Sequence, residues 1–121
     1  MRIMIVDDSG TMRTIQRRCL EKLGVTSIVE APNGQVALDL FDQTTIDLVL
    51  TDWNMPIMDG LTLLKEIRSR NKAVPIIMLT TLACKTNVVS ALAAGVSDYL
   101  IKPFTPELLQ EKLDKWISTR V

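Results

Sequence analysis

Five short apolar runs alternate along the chain with segments of helical spacing, and this alternation limits the possible folds more than any other feature. The predicted strands are Ile3–Val6, Ser27–Glu30, Asp47–Thr51, Pro75–Leu79 and Asp98–Ile101. Strands that read as near-continuous apolar runs are buried on both faces of a sheet. Alternation of such strands with helices gives a parallel sheet with right-handed crossovers. We therefore predict an α/β fold: a doubly wound (βα)5 domain around a five-stranded parallel sheet.

Each segment between or after the strands has apolar residues at intervals of three and four, which predicts one buried helix face. These faces are Met12, Ile15, Cys19, Leu20 and Leu23; Val36, Ala37, Leu40 and Phe41; Leu61, Leu64 and Ile67; Val88, Val89, Leu92 and Ala93; and Leu109, Leu113 and Trp116. Gly24 and Gly95 are typical of helix ends. Thr105 followed by Pro106 is typical of a helix start.

Composition excludes several classes of function. The 121 residues indicate one domain, 1–121. Lysine plus arginine equals aspartate plus glutamate at 14 each, which argues against a nucleic-acid-binding module. The absence of histidine excludes histidine bases and histidine-ligated zinc.

Cys19 and Cys84 form no metal or redox motif and are expected to be reduced. No uncharged stretch could span a bilayer and no signal peptide is apparent, so we expect a cytoplasmic protein.

Chemically active side chains follow four of the five predicted strands. Asp7 and Asp8 follow the first, Asp52 the third, Thr80 the fourth and Lys102 the fifth. The carboxyl ends of parallel strands meet at one edge of the sheet, where such folds bind ligands. Any one of these residues alone would be interpreted as a cap, a strand residue or a surface charge. Their convergence instead predicts a site with three carboxylates, one hydroxyl and one ammonium.

Three clustered carboxylates repel one another unless a proton or a cation neutralises them. Mg²⁺ suits such a cluster, because it takes one or two carboxylates, several waters and a phosphate oxygen. Asp8 and Asp52 could be direct ligands, with Asp7 acting partly through water. Lys102 could pair with a carboxylate or a phosphoryl group. These residues favour phosphoryl transfer to a carboxylate nucleophile. No glycine-rich phosphate loop supports nucleotide binding.

Four motifs give the whole chain a resemblance to the receiver domains of two-component response regulators, and within them to the CheY type. They are Val6-Asp7-Asp8, Thr11-Met12-Arg13, the run from Thr51 to Gly60 (TDWNMPIMDG), and Lys102-Pro103-Phe104. The resemblance implies the flavodoxin-like strand order 2-1-3-4-5. It also implies a phosphorylation-activated signalling switch with Mg²⁺ as cofactor, which is not an enzyme beyond catalysing its own phosphorylation and dephosphorylation.

The resemblance also assigns roles around the acceptor. Asp52 corresponds to the phosphoacceptor. Asp7 and Asp8 correspond to the acidic pair that holds Mg²⁺ together with Asp52 and the backbone carbonyl of Asn54. Asn54 and Leu82 occupy positions that tune hydrolysis of the phosphoryl group, and the apolar Leu82 is a departure from the acidic side chain of the best-known chemotaxis member. Ser9 is a second departure, since a bulkier residue is expected after the acidic pair.

Four further residues complete the switch that the resemblance implies. Lys102 is expected to contact the phosphoryl group, and the Lys102–Pro103 peptide bond is expected to be cis. Thr80 corresponds to the switch hydroxyl. Tyr99 corresponds to the aromatic residue whose rotamer follows it.

The implied partners are a chemotaxis-type sensor histidine kinase as donor and the flagellar motor switch as target. The target would bind the face formed by the fourth helix, fifth strand and fifth helix. Whether a phosphatase also acts on the protein is left open. We expect the protein to be a monomer that contacts neither nucleic acid nor membrane.

Two other interpretations stay open at this point. The chain could be a stand-alone or excised receiver domain in a non-chemotaxis phosphorelay. More remotely, it could be an aspartate-nucleophile phosphatase of the haloacid dehalogenase type. That family has one residue between its first two aspartates, whereas Asp7 and Asp8 are adjacent. Its second acidic pair and its cap domain are not seen.

Overall fold

The computed structural model describes residues 1–80 and 85–118, and these form alternating strands and helices. In chain order the elements are β1 (Arg2–Val6), α1 (Gly10–Lys22), β2 (Ser27–Ala31), α2 (Gly34–Gln43), β3 (Leu48–Asp52), α3 (Gly60–Arg70), β4 (Ile76–Thr80), α4 (Lys85–Ala93), β5 (Asp98–Ile101) and α5 (Pro106–Ser118). Leu82 and Cys84, both discussed above, lie outside the described residues. Among those described, no helix is long and apolar enough to cross a membrane.

The five strands form one parallel sheet in the order β2-β1-β3-β4-β5. Val6 pairs with Thr51, and Thr80 pairs with Ile101, so the carboxyl ends of the paired strands reach the same edge. The predicted fold class and strand order are confirmed. Strands β3 and β4 each extend one residue beyond the prediction, which makes Asp52 and Thr80 the last residues of their strands.

The sheet separates two apolar layers, because successive strand side chains point to opposite faces. On one face, Met4 and Val6 of β1 pack in a cluster with residues of α2, α3 and α4. On the other face, Ile3 and Ile5 pack with residues of α1 and α5. Every apolar residue of β1 is thus buried, as continuous apolar strands predict.

Short polar side chains cap the amino-terminal ends of four helices. These caps mark where the loops at the carboxyl edge of the sheet end and the helices begin. Ser9, Asn33 and Asp59 accept hydrogen bonds from the backbone amides three residues later at the starts of α1, α2 and α3. Thr105 does the same for α5. Gly24, just beyond α1, has a φ of 86°, which confirms its predicted role at the helix end.

The predicted inward faces of α2 and α4 are wrong at four positions. Val36, Val89 and Leu92 are 37%, 62% and 57% exposed, and Ala93 is also exposed. Both helices carry apolar residues around much of their circumference, so spacing alone did not distinguish the packed stripe from the exposed one. Among the residues of α4 whose burial is described (88–93), it is the small residue Ala91 that is buried.

Candidate functional site

Three carboxylates meet at the carboxyl edge of the sheet. One oxygen from each of Asp7, Asp8 and Asp52 lies within 4.8 Å of the others. Asp7 and Asp52 are buried, whereas Asp8 is exposed, so the cluster opens to solvent on one side. Asp52 ends β3, and Asp7 directly follows β1, its neighbour in the sheet. The predicted convergence of these residues is confirmed.

Asp7 accepts a hydrogen bond at each of its two carboxylate oxygens. Its Oδ1 accepts a hydrogen bond from the backbone amide of Ser9 at 2.9 Å, and its Oδ2 accepts one from Nε2 of Gln16 at 3.3 Å. Burial raises the pKa of Asp7, and the negative charge of Asp52 adds to this effect. The bonds from Ser9 and Gln16 and the charge of Lys102 oppose it. A cation in the cluster would favour the ionised form.

Arg13, from the Thr11-Met12-Arg13 motif, fixes the backbone beneath the acidic pair. Its Nη1 donates to the backbone carbonyl of Asp7 at 2.6 Å, and its Nε pairs with Glu30 of β2 at 3.0 Å. Arg17, one helical turn later, also pairs with Glu30 at 2.8 Å. The motif therefore supports the site through the loop after β1, without contributing a side chain to the acidic cluster.

Lys102, the residue directly after β5, reaches the cluster from the other side of Asp52. Its Nζ donates to Oδ1 of Asp52 at 3.0 Å, and the same oxygen accepts the backbone amide of Trp53 at 2.9 Å. The backbone amide of Lys102 donates to the carbonyl of Thr80 at 2.6 Å, which ties this residue to the end of β4. The Lys102–Pro103 bond is cis, as predicted.

The close approach of α3 to the end of β3 requires a glycine. A Cβ at Gly60 would overlap the backbone carbonyl of Asp52 and lie 2.8 Å from the sulfur of Met78. The amide of Gly60 donates to the carbonyl of Trp53 at 2.8 Å. This packing fixes both ends of the loop that carries Asn54.

The donor set suits a hard divalent cation. Three carboxylates face one ammonium, so the ionised cluster has an excess negative charge, and oxygen atoms are the ligands that Mg²⁺ prefers. Asn54 borders the same surface depression as Asp8 and Asp59. Asp7, Asp8 and Asp52 could therefore hold the ion, while the Asn54 carbonyl as a further ligand stays a prediction.

Thr80 and Tyr99 lie on the walls of one small apolar cavity behind the acidic cluster. The rest of its lining is formed by Trp53, Met78, Val88 and Ala91. Thr80 is 3% exposed at the end of β4, and Tyr99 is half-buried in β5. The cavity thus connects the strand end beside Asp52 with the inner side of α4.

Two features near the site were missed from the sequence. Gln16 is a fully buried polar residue in the apolar stripe of α1, three residues before Cys19, and this interruption was the available signal. Ile57 adopts a φ of 71°, which no property of isoleucine indicates. Both lie close to residues that the sequence did identify.

Comparison with known proteins identifies the class to which this fold and site belong. The sequence profile of the response regulator receiver domain matches residues 3–114. A crystal structure of the Vibrio cholerae chemotaxis protein CheY4 is similar, with a TM-score of 0.87 and 32% identity over 95% of this chain and 97% of that one. The Francisella response regulator 1452 receiver domain gives a TM-score of 0.89, with 29% identity over 99% and 98% of the two chains. The chain belongs to the response regulator receiver family.

Individual relatives indicate which type of response regulator the chain resembles. Chemotaxis protein CheY1 of Helicobacter pylori is 48% identical, with 98% of each chain covered. The CheY homolog of Campylobacter jejuni is 45% identical over 98% of this chain and 94% of that protein. The protein is therefore a phosphorylation-activated response regulator of the CheY, or chemotaxis, type. These similarities favour a signalling receiver domain over a phosphatase of the haloacid dehalogenase type. They also favour a role in chemotaxis over a role in another phosphorelay.

Proposed function

We propose that the protein accepts a phosphoryl group on Asp52 in a Mg²⁺-dependent reaction and thereby controls the flagellar motor switch. The donor is the phosphohistidine of a chemotaxis-type sensor kinase. The observation that carries the proposal is the position of the Asp52 carboxylate, 3.0 Å from the ammonium of Lys102 and clustered with Asp7 and Asp8. A carboxylate in that setting can act as a nucleophile while its neighbours neutralise the incoming charge.

The transfer exchanges one bond for another. An oxygen of Asp52 forms the new O–P bond, the donor's N–P bond breaks, and the electron pair stays on the imidazole nitrogen, which takes a proton from water. Asp7, Asp8, Asp52 and the Asn54 carbonyl would hold the Mg²⁺, and a bound ion would offset charge on the phosphoryl oxygens. Lys102 contacts a phosphoryl oxygen and stabilises the acyl phosphate as a fixed positive charge.

The switch works through Thr80 and Tyr99. A phosphoryl dianion beside the end of β4 attracts the Thr80 hydroxyl. Movement of Thr80 changes one wall of the cavity that it shares with Tyr99, and the ring then moves inward. Asn54 and Leu82 set the rate at which the phosphoryl group is hydrolysed, with or without a phosphatase.

The target binds the surface formed by α4, β5 and α5. Its exposed apolar side chains support this assignment, since Val89, Leu92, Ile101 and Leu108 are 62%, 57%, 37% and 48% exposed. Tyr99 lies in β5 at the centre of this surface, so its rotamer can alter the fit of the target. We further propose that residues 1–121 act as a single receiver domain, monomeric in the cytoplasm.

A phosphotransfer and binding experiment tests this function. A chemotaxis histidine kinase is autophosphorylated with labelled ATP, and the protein is added with Mg²⁺ or with a chelator. We expect label to move to the protein only with Mg²⁺, and the labelled form to bind a flagellar motor-switch protein more tightly than the unlabelled form. Failure of transfer, or equal binding by both forms, would contradict the proposal.

A further inference from the structure

Gln16 is the only polar residue among the buried residues of α1. The other two are Cys19 and Leu20, and Gln16 is fully buried. Burying an amide is unfavourable unless hydrogen bonds replace its lost water contacts. Packing alone therefore does not explain why a glutamine occupies this buried position.

The amide of Gln16 is only half satisfied, and its single bond is to the acidic cluster. Nε2 donates to Oδ2 of Asp7 at 3.3 Å. An ionised carboxylate can only accept, which fixes the NH₂ group toward Asp7 and the carbonyl away from it. Oε1 is buried and has no hydrogen-bond partner among the described residues. An apolar residue would fill this position without leaving such an atom unpaired.

The bond from Gln16 completes the restraint on Asp7. The Ser9 amide holds Oδ1 from the loop after β1, and Gln16 holds Oδ2 from α1. One donor would leave the carboxylate free to rotate about its last side-chain bond, whereas two donors on different oxygens fix its plane. Mg²⁺ requires near-ideal octahedral geometry, and groups that orient its ligands affect its affinity strongly.

We propose that Gln16 is a positioning residue for the magnesium site, which holds the Asp7 carboxylate in the orientation that the ion requires. The unpaired Oε1 is the structural disadvantage that accompanies this role. This role of Gln16 rests on the proposed function, because it requires that Asp7 helps to hold Mg²⁺ during phosphorylation of Asp52.

Replacement by methionine separates this role from a structural one. Gln16→Met keeps the length of the side chain and removes both its donor and its unpaired acceptor. A structural role predicts a less stable protein without Mg²⁺. A positioning role predicts little change in stability without Mg²⁺, because the donor to Asp7 and the unpaired Oε1 are lost together, and it predicts a loss of Mg²⁺ affinity that exceeds any loss of stability. Gln35→Met is the matched control, because Gln35 also donates its amide to a carboxylate, that of Asp39 at 3.2 Å, on an exposed face.

The experiment measures Mg²⁺ affinity from the fluorescence of Trp53, next to Asp52, and stability by urea unfolding without Mg²⁺. We expect Gln16→Met to raise the dissociation constant of Mg²⁺ about tenfold and Gln35→Met to leave it unchanged. Gln16→Leu provides a second apolar variant if the methionine variant folds poorly. Absence of any Mg²⁺ response in the wild type would contradict the proposed function. A normal wild-type response with equal affinity in the Gln16 variants, or affinity lost only in step with stability, would overturn the role of Gln16 alone.

Discussion

The ammonium of Lys102 lies 3.0 Å from Oδ1 of Asp52, although 50 residues separate them in the chain. The parallel sheet accounts for this contact, because β3 and β5 flank β4 and all three end at the same edge. Lys102 thus occupies the side of Asp52 nearest β5, while Asp7 approaches it from the β1 side. The acceptor is therefore held between a positive charge and the acidic pair.

Replacement of Lys102 should separate metal binding from signalling. In Lys102→Ala the cluster loses a positive charge that repels Mg²⁺, so we expect the dissociation constant of Mg²⁺ to stay equal or to fall by about threefold. Phosphorylation should no longer increase binding to the target. Fluorescence titration with Mg²⁺ and binding to the motor-switch protein measure the two effects. Lys65→Ala, on the exposed surface of α3, is the control, and a Lys102 variant that still signals normally would refute the assigned contact.

Asp7 should limit the stability of the metal-free protein. Burial raises the pKa of Asp7, so its contribution to stability is present below the ordinary aspartate pKa of about 3.9 and is lost as the pH rises through the folded value. We expect Asp7→Asn to raise the free energy of unfolding at pH 7 by roughly 1 kcal/mol. Urea unfolding without Mg²⁺ should show this gain shrinking as the pH falls toward 4. A less stable variant at pH 7 would contradict the account.

Asp98 should show the opposite pH dependence. Burial opposes its ionisation, but hydrogen bonds from Trp116, Lys112 and the Tyr99 amide outweigh burial and hold the pKa of Asp98 below its usual value. Its stabilisation is therefore present above about pH 3.9 and is lost as the pH falls through the folded value. The bonds from Trp116 at 2.9 Å and Lys112 at 3.1 Å join α5 to β5.

We expect Asp98→Asn to lower the free energy of unfolding at pH 7 by roughly 1 to 3 kcal/mol. The difference from the wild type should narrow in acid. Urea unfolding at several pH values measures both effects, and Glu111→Gln, at an exposed position of α5, serves as the control. A difference that stays constant down to pH 2 would count against a charge-dependent restraint.

The backbone of Ile57 is strained, and its side chain gains no burial that would offset the strain. Its φ is 71° and the amide of Met58 donates to the carbonyl of Pro56 at 2.7 Å, so Ile57 is the centre of a γ-turn of the rare, strained hand. Its side chain is 81% exposed. Asparagine tolerates positive φ better than a β-branched residue does.

We therefore expect Ile57→Asn to raise the free energy of unfolding by roughly 1 kcal/mol. Ile57→Val, which keeps the β-branch, should change it little. Denaturant unfolding of both variants measures the difference. Equal stability of all three proteins would indicate that the turn carries no strain.

The fold and the acidic cluster could be predicted because both depend on features that repeat or converge in the sequence. Alternating apolar runs specify the layers, and the sheet then brings Asp7, Asp52 and Lys102 together without further information. Other features depend on tertiary contacts. In α4 the core buries Ala91 and leaves Val89 exposed, although their spacing fits either choice. Gln16 interrupts the apolar stripe of α1, but the sequence does not indicate which group its amide contacts.

The most direct test of the central claim is the intact mass of the protein after incubation with acetyl phosphate. With Mg²⁺, the wild type should gain the mass of one phosphoryl group, and with a chelator it should gain none. Asp52→Asn should remain folded by circular dichroism and gain no mass under either condition. A gain by Asp52→Asn equal to that of the wild type, or a wild-type gain that is independent of Mg²⁺, would contradict the account.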